Sequence, residues 1–175
     1  MILKYNELSK IKEDNLEKKI AICKGTFDLF HYSHLKFLQY IKRKCDILVV
    51  IVKNDKAASK KGSNRPIFSE EERIEIVDSI KYVDYVVLEE DNVDSEIIKK
   101  FANLNLYSED ELNKFKSDAY LYEKINADYL FVTNEKKISK LVYDLCSKIE
   151  LQIKIIPIQG NNFHTTDIIN KIINH

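Results

Sequence analysis

The segment Lys24–His34, which reads KGTFDLFHYSH, places two histidines three positions apart shortly after a glycine. Residues three apart share a helix face, and a helix N-terminus offers N–H groups and partial positive charge to anions. Gly25 ends a strand, where the missing side chain lets a ligand approach the backbone. We interpret His31 and His34 as phosphate ligands. Two alternatives remain. The histidines could bind zinc, which would need a third ligand such as Asp28, or they could lie on the surface by chance.

A second polar segment, residues 53–65, is strongly basic and holds one acid, Asp55. Its basic residues are Lys53, Lys56, Lys60, Lys61 and Arg65. Charge runs are often solvated surface, but this one follows a strand, where a lysine can reach a phosphate as a compact point charge. Gly62 would allow the segment to bend as a mobile lid.

A lone arginine, Arg73, falls in the first turn of a predicted helix, where a cation opposes the macrodipole at a cost of a few tenths of a kcal/mol. Either the three preceding glutamates, residues 70–72, offset this charge locally, or Arg73 points at phosphates. The residues alone do not decide between these two interpretations of Arg73.

Two further loops carry polar residues, Thr133–Asn134–Glu135 after one strand and His164–Thr165–Thr166 after another. We predict Thr166 as the N-cap of the last helix, which leaves Thr165 to donate a hydrogen bond to a phosphate at the same helix end. His164 either does likewise or is merely exposed.

The elements that position these loops alternate between β-rich runs and helical patterns. The predicted strands are Lys19–Lys24, Asp46–Val52, Val83–Leu88, Asp128–Val132 and Leu151–Ile158. The predicted helices are Leu35–Arg43, Glu70–Lys81, Val93–Phe101, one from the Ser108 cap to Ile125, Glu135–Ile149, and one after Thr166. This alternation predicts an α/β fold, a Rossmann-like parallel sheet of about five strands with helices on both faces. Ligands bind at the carboxyl ends of such strands.

Composition excludes several classes of protein. The 175 residues suit one domain, residues 1–175. Lys+Arg and Asp+Glu both number 28, which argues against a nucleic-acid partner. Three widely separated cysteines predict no disulfide framework. The charged first 19 residues lack a signal-peptide h-region, and no apolar run approaches the ~20 residues of a membrane span. We therefore expect a cytoplasmic protein with no membrane partner.

Gly25–Thr26–Phe27–Asp28 followed by His31–Tyr32–Ser33–His34 resembles the GxFDxxHxGH signature of the cytidylyltransferase-like nucleotidyltransferases. GTFDLFH is most similar to bacterial glycerol-3-phosphate cytidylyltransferase. The stretch from Arg65 to Arg73, continuing through residues 83–87, resembles heptose-phosphate adenylyltransferases and archaeal FAD synthetases. Residues 165–169 resemble the superfamily's STT-x-I-I element. The similarity spans roughly residues 20 to 173, with a gap in the middle.

This resemblance implies that an acceptor phosphate attacks the α-phosphorus of a nucleoside triphosphate and releases pyrophosphate, with Mg²⁺ accompanying the nucleotide. It implies catalytic roles for His31, His34, Lys60, Lys61 and Arg73. It implies nucleotide contacts from Gly25, Thr26, Phe27, Asp28, Ser33, Thr133, Asn134, His164, Thr165 and Thr166. The expected partners are CTP, with ATP as the alternative, a small phosphomonoester and a second copy of the chain in a homodimer.

The sequence departs from the family pattern in four places. Ser33 replaces the glycine of HxGH, and Thr133–Asn134–Glu135 replaces the usual glycine-acidic element after the fourth strand. Gln159 replaces an arginine of the cytidylyltransferases, and His164 replaces the serine of the STT element. A nucleotide-binding regulator without turnover is therefore a further alternative. Residues 103–127 form an extra helical insertion that would shape the acceptor pocket, contact a second copy or simply add packing.

Overall fold

The computed structural model describes residues 1–60, 62, 64–94, 96–97, 107–133, 138–157 and 165–173. Its six strands form one parallel sheet in the order β1–β4–β3–β2–β5–β6. The strands are β1 (Ile2–Leu3), β2 (Ile20–Gly25), β3 (Ile47–Val52), β4 (Tyr85–Leu88), β5 (Tyr129–Thr133) and β6 (Gln152–Ile156). The predicted α/β class is confirmed. Strand β1 was missed because two residues give no pattern, and only its pairing with β4 defines it.

Seven α-helices accompany the sheet in the described part of the chain. They are α1 (Leu8–Glu13), α2 (Tyr32–Lys42), α3 (Asp55–Ser59), α4 (Glu70–Asp78), α5 (Glu109–Ile125), α6 (Lys140–Lys148) and α7 (Thr165–Ile173), with a 3₁₀ turn at Tyr5–Glu7. None of these helices is long and apolar enough to cross a membrane.

Three helix predictions need correction. Helix α3 lies where the sequence predicted only a basic loop, and Asn54 caps it by accepting from Ala57 N at 2.8 Å. Helix α6 begins at Lys140 behind the Ser139 cap, not at residue 135. Helix α7 begins at Thr165, so Thr166 lies inside the helix and is not its N-cap. The helix predicted at 93–101 falls mostly outside the described residues.

Side-chain alternation along β2 builds two separate cores. Ile20 and Ile22 pack on the side that holds α1, α5 and α6. Ala21 and Cys23 pack on the side that holds α2 and α4. Every side chain of β3 is buried, as its continuous β-branched run predicted for a strand covered on both faces.

The order of the strands places the end of β2 at a topological switch point. The chain passes from β2 to β3 and β4 on one side of the sheet, then returns through α5 to β5 and β6 on the other side. Crevices for ligands form at such reversals, beyond the carboxyl ends of the strands. The segment that follows Gly25 occupies this position.

Helix α4 starts where its capping box was predicted. Ser69 Oγ accepts from Glu72 N at 3.3 Å, and the Glu72 carboxylate accepts from Ser69 N at 2.8 Å. The cap fixes the first turn of α4 and hence the position of Arg73.

We expect Ser69→Ala to lower the free energy of unfolding by about 1 kcal/mol, because it removes the side-chain half of this capping box. Urea denaturation measures the change. The matched control is Ser147→Ala, at an exposed position inside α6, which should shift stability by less than about 0.5 kcal/mol. Equal losses in the two variants would contradict the role given to the cap.

Candidate active site

The two histidines predicted to act together lie in contact at the start of α2. His31 is the N-cap residue and His34 belongs to the first turn. Their rings stack with centroids 3.9 Å apart and planes 27° apart. The two histidines that the spacing places together are thus in contact, at the switch point of the sheet.

The N-terminus of α2 differs from four other helix starts. The side chain of His31 does not cap the helix, whereas Asn54, Ser69, Ser108 and Ser139 each cap theirs. The first-turn N–H groups of α2 thus receive no cap from His31 and can meet an anion. Ser33, which replaces the family glycine, lies half-buried in this turn.

Aromatic side chains hold the second imidazole in place. The His34 ring meets the edge of Phe27, with centroids 5.3 Å apart, and packs against Phe30 at 5.5 Å. Phe27 is itself buried. The Phe27 side chain therefore supports His34 from the core, and its role as a nucleotide contact stays a prediction.

The turn between β2 and α2 adopts an unusual backbone. Phe27 and Leu29 have positive φ values of 55° and 44°, a conformation that costs energy for residues other than glycine. A Cβ on Gly25 would lie 2.8 Å from the Phe27 ring. Gly25 is thus needed to leave room for the Phe27 ring. The sequence suggested a different role, in which the missing side chain lets a ligand approach the backbone.

Asp28 links three parts of the chain from a position only 1% exposed. Its Oδ1 accepts from the backbone N–H groups of Ile67 and Phe68, both at 3.1 Å. Its Oδ2 lies 2.9 Å from Arg65 Nε in an ion pair. Its carbonyl accepts from Thr165 Oγ1 at 2.9 Å. Asp28 and Thr165, both expected to contact the nucleotide, here join the turn after β2 to the segment before α4 and to α7.

Arg73 is fully buried and forms hydrogen bonds with the same loops. Its Nη1 donates to the carbonyls of Thr26 at 2.6 Å and Lys53 at 2.7 Å, and its Nε donates to Phe68 O at 3.0 Å. Its Nη2 pairs with Asp55 Oδ1 at 2.7 Å. The arginine predicted to grip phosphates thus holds together the loops that form the crevice, and its role toward a triphosphate stays a prediction.

Thr26, the first residue after β2, has a buried side-chain hydroxyl. Its Oγ1 is buried and makes no hydrogen bond to any residue in the described ranges. Buried hydroxyls nearly always have a partner, so this one suits a ligand oxygen. Its place directly after β2 agrees with the expected nucleotide contact.

The other predicted site residues stand around this centre. Lys60 is exposed immediately after α3, Thr133 ends β5, and Thr166 is exposed on α7. Gly62 takes a φ of 153°, which side chains rarely adopt. The predicted residues Lys61, Asn134 and His164 lie outside the described part of the chain.

Among the described residues, no group of three or more His, Cys, Asp or Glu side chains is placed to hold a metal ion. Burial raises the pKa of the Cys45 thiol to about 11 and that of Cys146 to about 12. Neither thiol would be a thiolate near neutral pH.

Sequence reasoning missed the partners that organise the crevice. From the sequence, Asp55 is one acid among lysines and Arg65 is one more positive charge. Their contacts with Arg73 and Asp28 span 18 and 37 positions of the chain. No local pattern reports such pairs. An ion pair needs opposite charges, but a sequence with 28 of each sign offers too many combinations.

We expect Arg73→Lys to lower the free energy of unfolding by about 2–4 kcal/mol. Lysine keeps the charge but cannot reproduce the planar fork, which leaves buried carbonyls without donors. Urea denaturation measures the loss. Arg43→Lys, at the exposed end of α2, is the matched control and should change stability little. A similar small effect at both positions would refute the structural role of Arg73.

The comparisons with known proteins agree with this geometry. The model of the cytidylyltransferase-like family matches residues 22–171. The FAD synthase of Thermococcus sibiricus is 34% identical over 139 residues, which cover 72% of this chain and 92% of that protein. The bifunctional protein HldE of Aliarcobacter butzleri is 37% identical over 98 residues, 54% of this chain but 21% of that protein. The chain thus spans about a fifth of HldE.

A solved structure shows the same fold. The lipopolysaccharide core biosynthesis protein from Thermoplasma volcanium superposes with a TM-score of 0.54 at 22% identity, covering 83% of this chain and 99% of that one. The six-stranded parallel sheet, the histidine pair after its central strand and the match over residues 22–171 lead to one conclusion. The chain belongs to the cytidylyltransferase-like family of nucleotidyltransferases.

Proposed function

We propose that this protein transfers a nucleoside monophosphate from a nucleoside triphosphate to a small phosphomonoester and releases pyrophosphate. The observation that carries the proposal is the stacked pair His31 and His34 at the N-terminus of α2, whose N-cap residue His31 makes no side-chain capping bond. This arrangement places two imidazoles beside the first backbone N–H groups of α2, at one point beyond the carboxyl end of β2. Such a point suits a phosphate group that gains charge during the reaction.

The proposed chemistry needs no general base. The attacking phosphate oxygen is already an anion, so catalysis consists of positioning the reactants and stabilising charge. His31 and His34 would donate to the oxygens of the α-phosphate, and the buried Thr26 hydroxyl would donate to a neighbouring phosphate oxygen. Lys60 and Lys61 would approach the triphosphate as point charges.

Arg73 would contribute mainly through the loops that it holds. Its guanidinium already donates to three carbonyls and to Asp55. For Arg73 to reach the triphosphate, the bond to the half-exposed Asp55 carboxylate would have to open. That exchange would link nucleotide binding to the position of α3.

Mg²⁺ would be held chiefly by the triphosphate. Mg²⁺ keeps several waters and commonly binds through substrate phosphates with one or two carboxylates. The Asp28 carboxylate is occupied by two N–H groups and Arg65, so it is poorly suited as a ligand. When bound, the ion would neutralise charge on the phosphate oxygens.

We propose ATP as the nucleotide. The FAD synthase relatives, whose product contains adenine, match over 72% of this chain and 92% of their own length. CTP, expected from the GTFDLFH resemblance, is the second candidate. A regulator that binds nucleotide without turnover is the alternative from another class.

We expect pyrophosphate release from one of the four ribonucleoside triphosphates, ATP first, in the presence of a suitable acceptor. The screen combines each nucleotide with phosphorylated polyols, sugars, amino alcohols and flavins, and detects pyrophosphate enzymatically. Thermal shift with each nucleotide runs in parallel. A stabilising shift without pyrophosphate from any combination would point to the regulator and reject the transferase.

We expect His34→Ala to lower kcat by about 10²–10³-fold, since it removes one preorganised donor to the transition state. Stopped-time pyrophosphate assays give kcat, and circular dichroism checks that the fold is retained. The control is Tyr40→Ala, at an exposed position later in α2, which should keep wild-type turnover. Unchanged kcat in His34→Ala would overturn the proposed role of the histidine pair.

A further inference from the structure

Arg65 lies mostly buried beside the turn that leads to the histidine pair. Its side chain is 13% exposed, and its Nε lies 2.9 Å from the Asp28 carboxylate. Asp28 precedes His31, the N-cap residue of α2, by three positions. The guanidinium of Arg65 therefore lies in the same crevice as the start of α2.

The N–H groups of Arg65 have no acceptor in the described part of the chain. A guanidinium carries five N–H donors. The buried Nε contacts Asp28 as an ion pair but makes no hydrogen bond, and no described residue accepts from Nη1 or Nη2. Because Nε is buried, Nη1 and Nη2 are the donors that a ligand can reach. Polar groups largely removed from water nearly always have a partner, so these donors suit a ligand.

Arg73, the other arginine of this crevice, uses its guanidinium differently. Each of its three side-chain nitrogens already donates to an acceptor within the protein. Arg65 makes a single charged contact and leaves both Nη groups available. The same chemical group thus serves two purposes in one crevice: Arg73 holds the loops together, and Arg65 can bind a ligand without breaking a hydrogen bond.

Asp28 and Gly62 fix the position of the Arg65 side chain. Asp28 is itself held by the backbone N–H groups of Ile67 and Phe68, both at 3.1 Å from Oδ1. Arg65 N donates to Gly62 O at 3.2 Å, and a Cβ on Gly62 would lie 3.7 Å from Arg65 Cγ. A side chain held at both ends loses little conformational freedom when a ligand binds.

The start of α7 reaches the same aspartate. Thr165, the first residue of α7, donates its hydroxyl proton to the carbonyl of Asp28 at 2.9 Å. A hydroxyl has one proton to donate, so Thr165 has none for a phosphate while this bond is made. The backbone at the N-terminus of α7 still attracts an anion. The starts of α2 and α7 and the guanidinium of Arg65 therefore lie near Asp28, which favours a ligand with several negative charges.

We propose that Arg65 binds the β- and γ-phosphates of the nucleoside triphosphate through Nη1 and Nη2; this inference rests on the proposed nucleotidyl transfer. A guanidinium is a planar fork that donates to two phosphate oxygens at once. In the reaction, the acceptor oxygen bonds to the α-phosphorus, and the bond from that phosphorus to the bridging oxygen breaks. The electron pair of the broken bond goes to the departing pyrophosphate. Arg65 stabilises the charge that the pyrophosphate gains.

The binding of inorganic pyrophosphate tests this role without turnover. In calorimetry with Mg²⁺ present, we expect the Kd for pyrophosphate to rise about 10-fold in Arg65→Lys and about 10–100-fold in Arg65→Gln, because lysine lacks the fork and glutamine lacks the charge. Arg43→Lys and Arg43→Gln, at the exposed end of α2, are the matched controls and should bind as the wild type does. Unchanged affinity in both Arg65 variants, or no binding by the wild type, would overturn the proposal.

A purely structural role for Arg65 predicts a different result. Arg65→Lys keeps a cation beside Asp28, so we expect its Tm to stay close to that of the wild type while its affinity for pyrophosphate falls. A lower Tm with unchanged affinity for pyrophosphate would show that Arg65 serves the fold alone, and the proposal would be wrong. If Arg65→Gln does not fold, Arg65→Lys decides the question by itself.

Steady-state kinetics distinguish the triphosphate from the acceptor phosphate as the ligand of Arg65. With the nucleotide and acceptor selected by the pyrophosphate-release screen, we expect Arg65→Lys to lower kcat/KM for the nucleotide by about 10-fold or more. The KM of the acceptor should not change. A rise in the KM of the acceptor alone would assign Arg65 to the acceptor phosphate and reject its assignment to the triphosphate.

The two measurements separate failure of this inference from failure of the proposed function. If no acceptor supports turnover but the wild type binds pyrophosphate about 10-fold more tightly than Arg65→Lys does, the transferase function fails and the assignment of Arg65 holds. If turnover occurs but the Arg65 variants match the wild type in pyrophosphate affinity and in kcat/KM for the nucleotide, the function holds and the assignment fails.

Discussion

The buried guanidinium of Arg73 is the interaction on which the crevice depends. An ionised group removed from water must have its hydrogen bonds replaced, and Arg73 finds them in three backbone carbonyls and the carboxylate of Asp55. These acceptors come from the turn after β2, the segment after β3, α3 and the residue before the Ser69 cap. A single side chain therefore fixes the relative positions of loops that the sheet alone would leave independent.

Asp28 complements Arg73 with the opposite charge. Arg73 donates to carbonyls, whereas Asp28 accepts from the N–H groups of Ile67 and Phe68 and pairs with Arg65. Together they hold the unfavourable left-handed backbone of Phe27 and Leu29. That backbone buries the Phe27 ring beneath His34. The geometry of the histidine pair thus follows from charges that do not belong to the pair itself.

Sequence patterns predicted the features that depend on local chemistry. The capping boxes at Ser69 and Ser108 and the buried strand β3 follow from residue types a few positions apart, and the structure confirms them. The edge strand β1 and the bonds of Arg73 depend on distant partners, so no local pattern reports them. Arg73 was noticed because a cation in the first turn of a helix is unfavourable. Its hydrogen bonds to buried carbonyls explain why a cation occupies that turn, and those carbonyls lie too far away in the sequence for a local pattern to report.

The chain has no net charge, but its charged and polar groups are distributed unequally between the two faces of the sheet. The face of the sheet with α2 carries the two imidazoles at the start of that helix, while the opposite face holds Lys24 with the carboxylates of Glu89 and Asp118. β2 connects the two, because successive residues of a strand point to opposite faces. Lys24 faces α5, and the next residues turn toward α2. This one strand therefore places the histidine pair on one side of the sheet and a carboxylate-rich cluster on the other, within a few residues of each other.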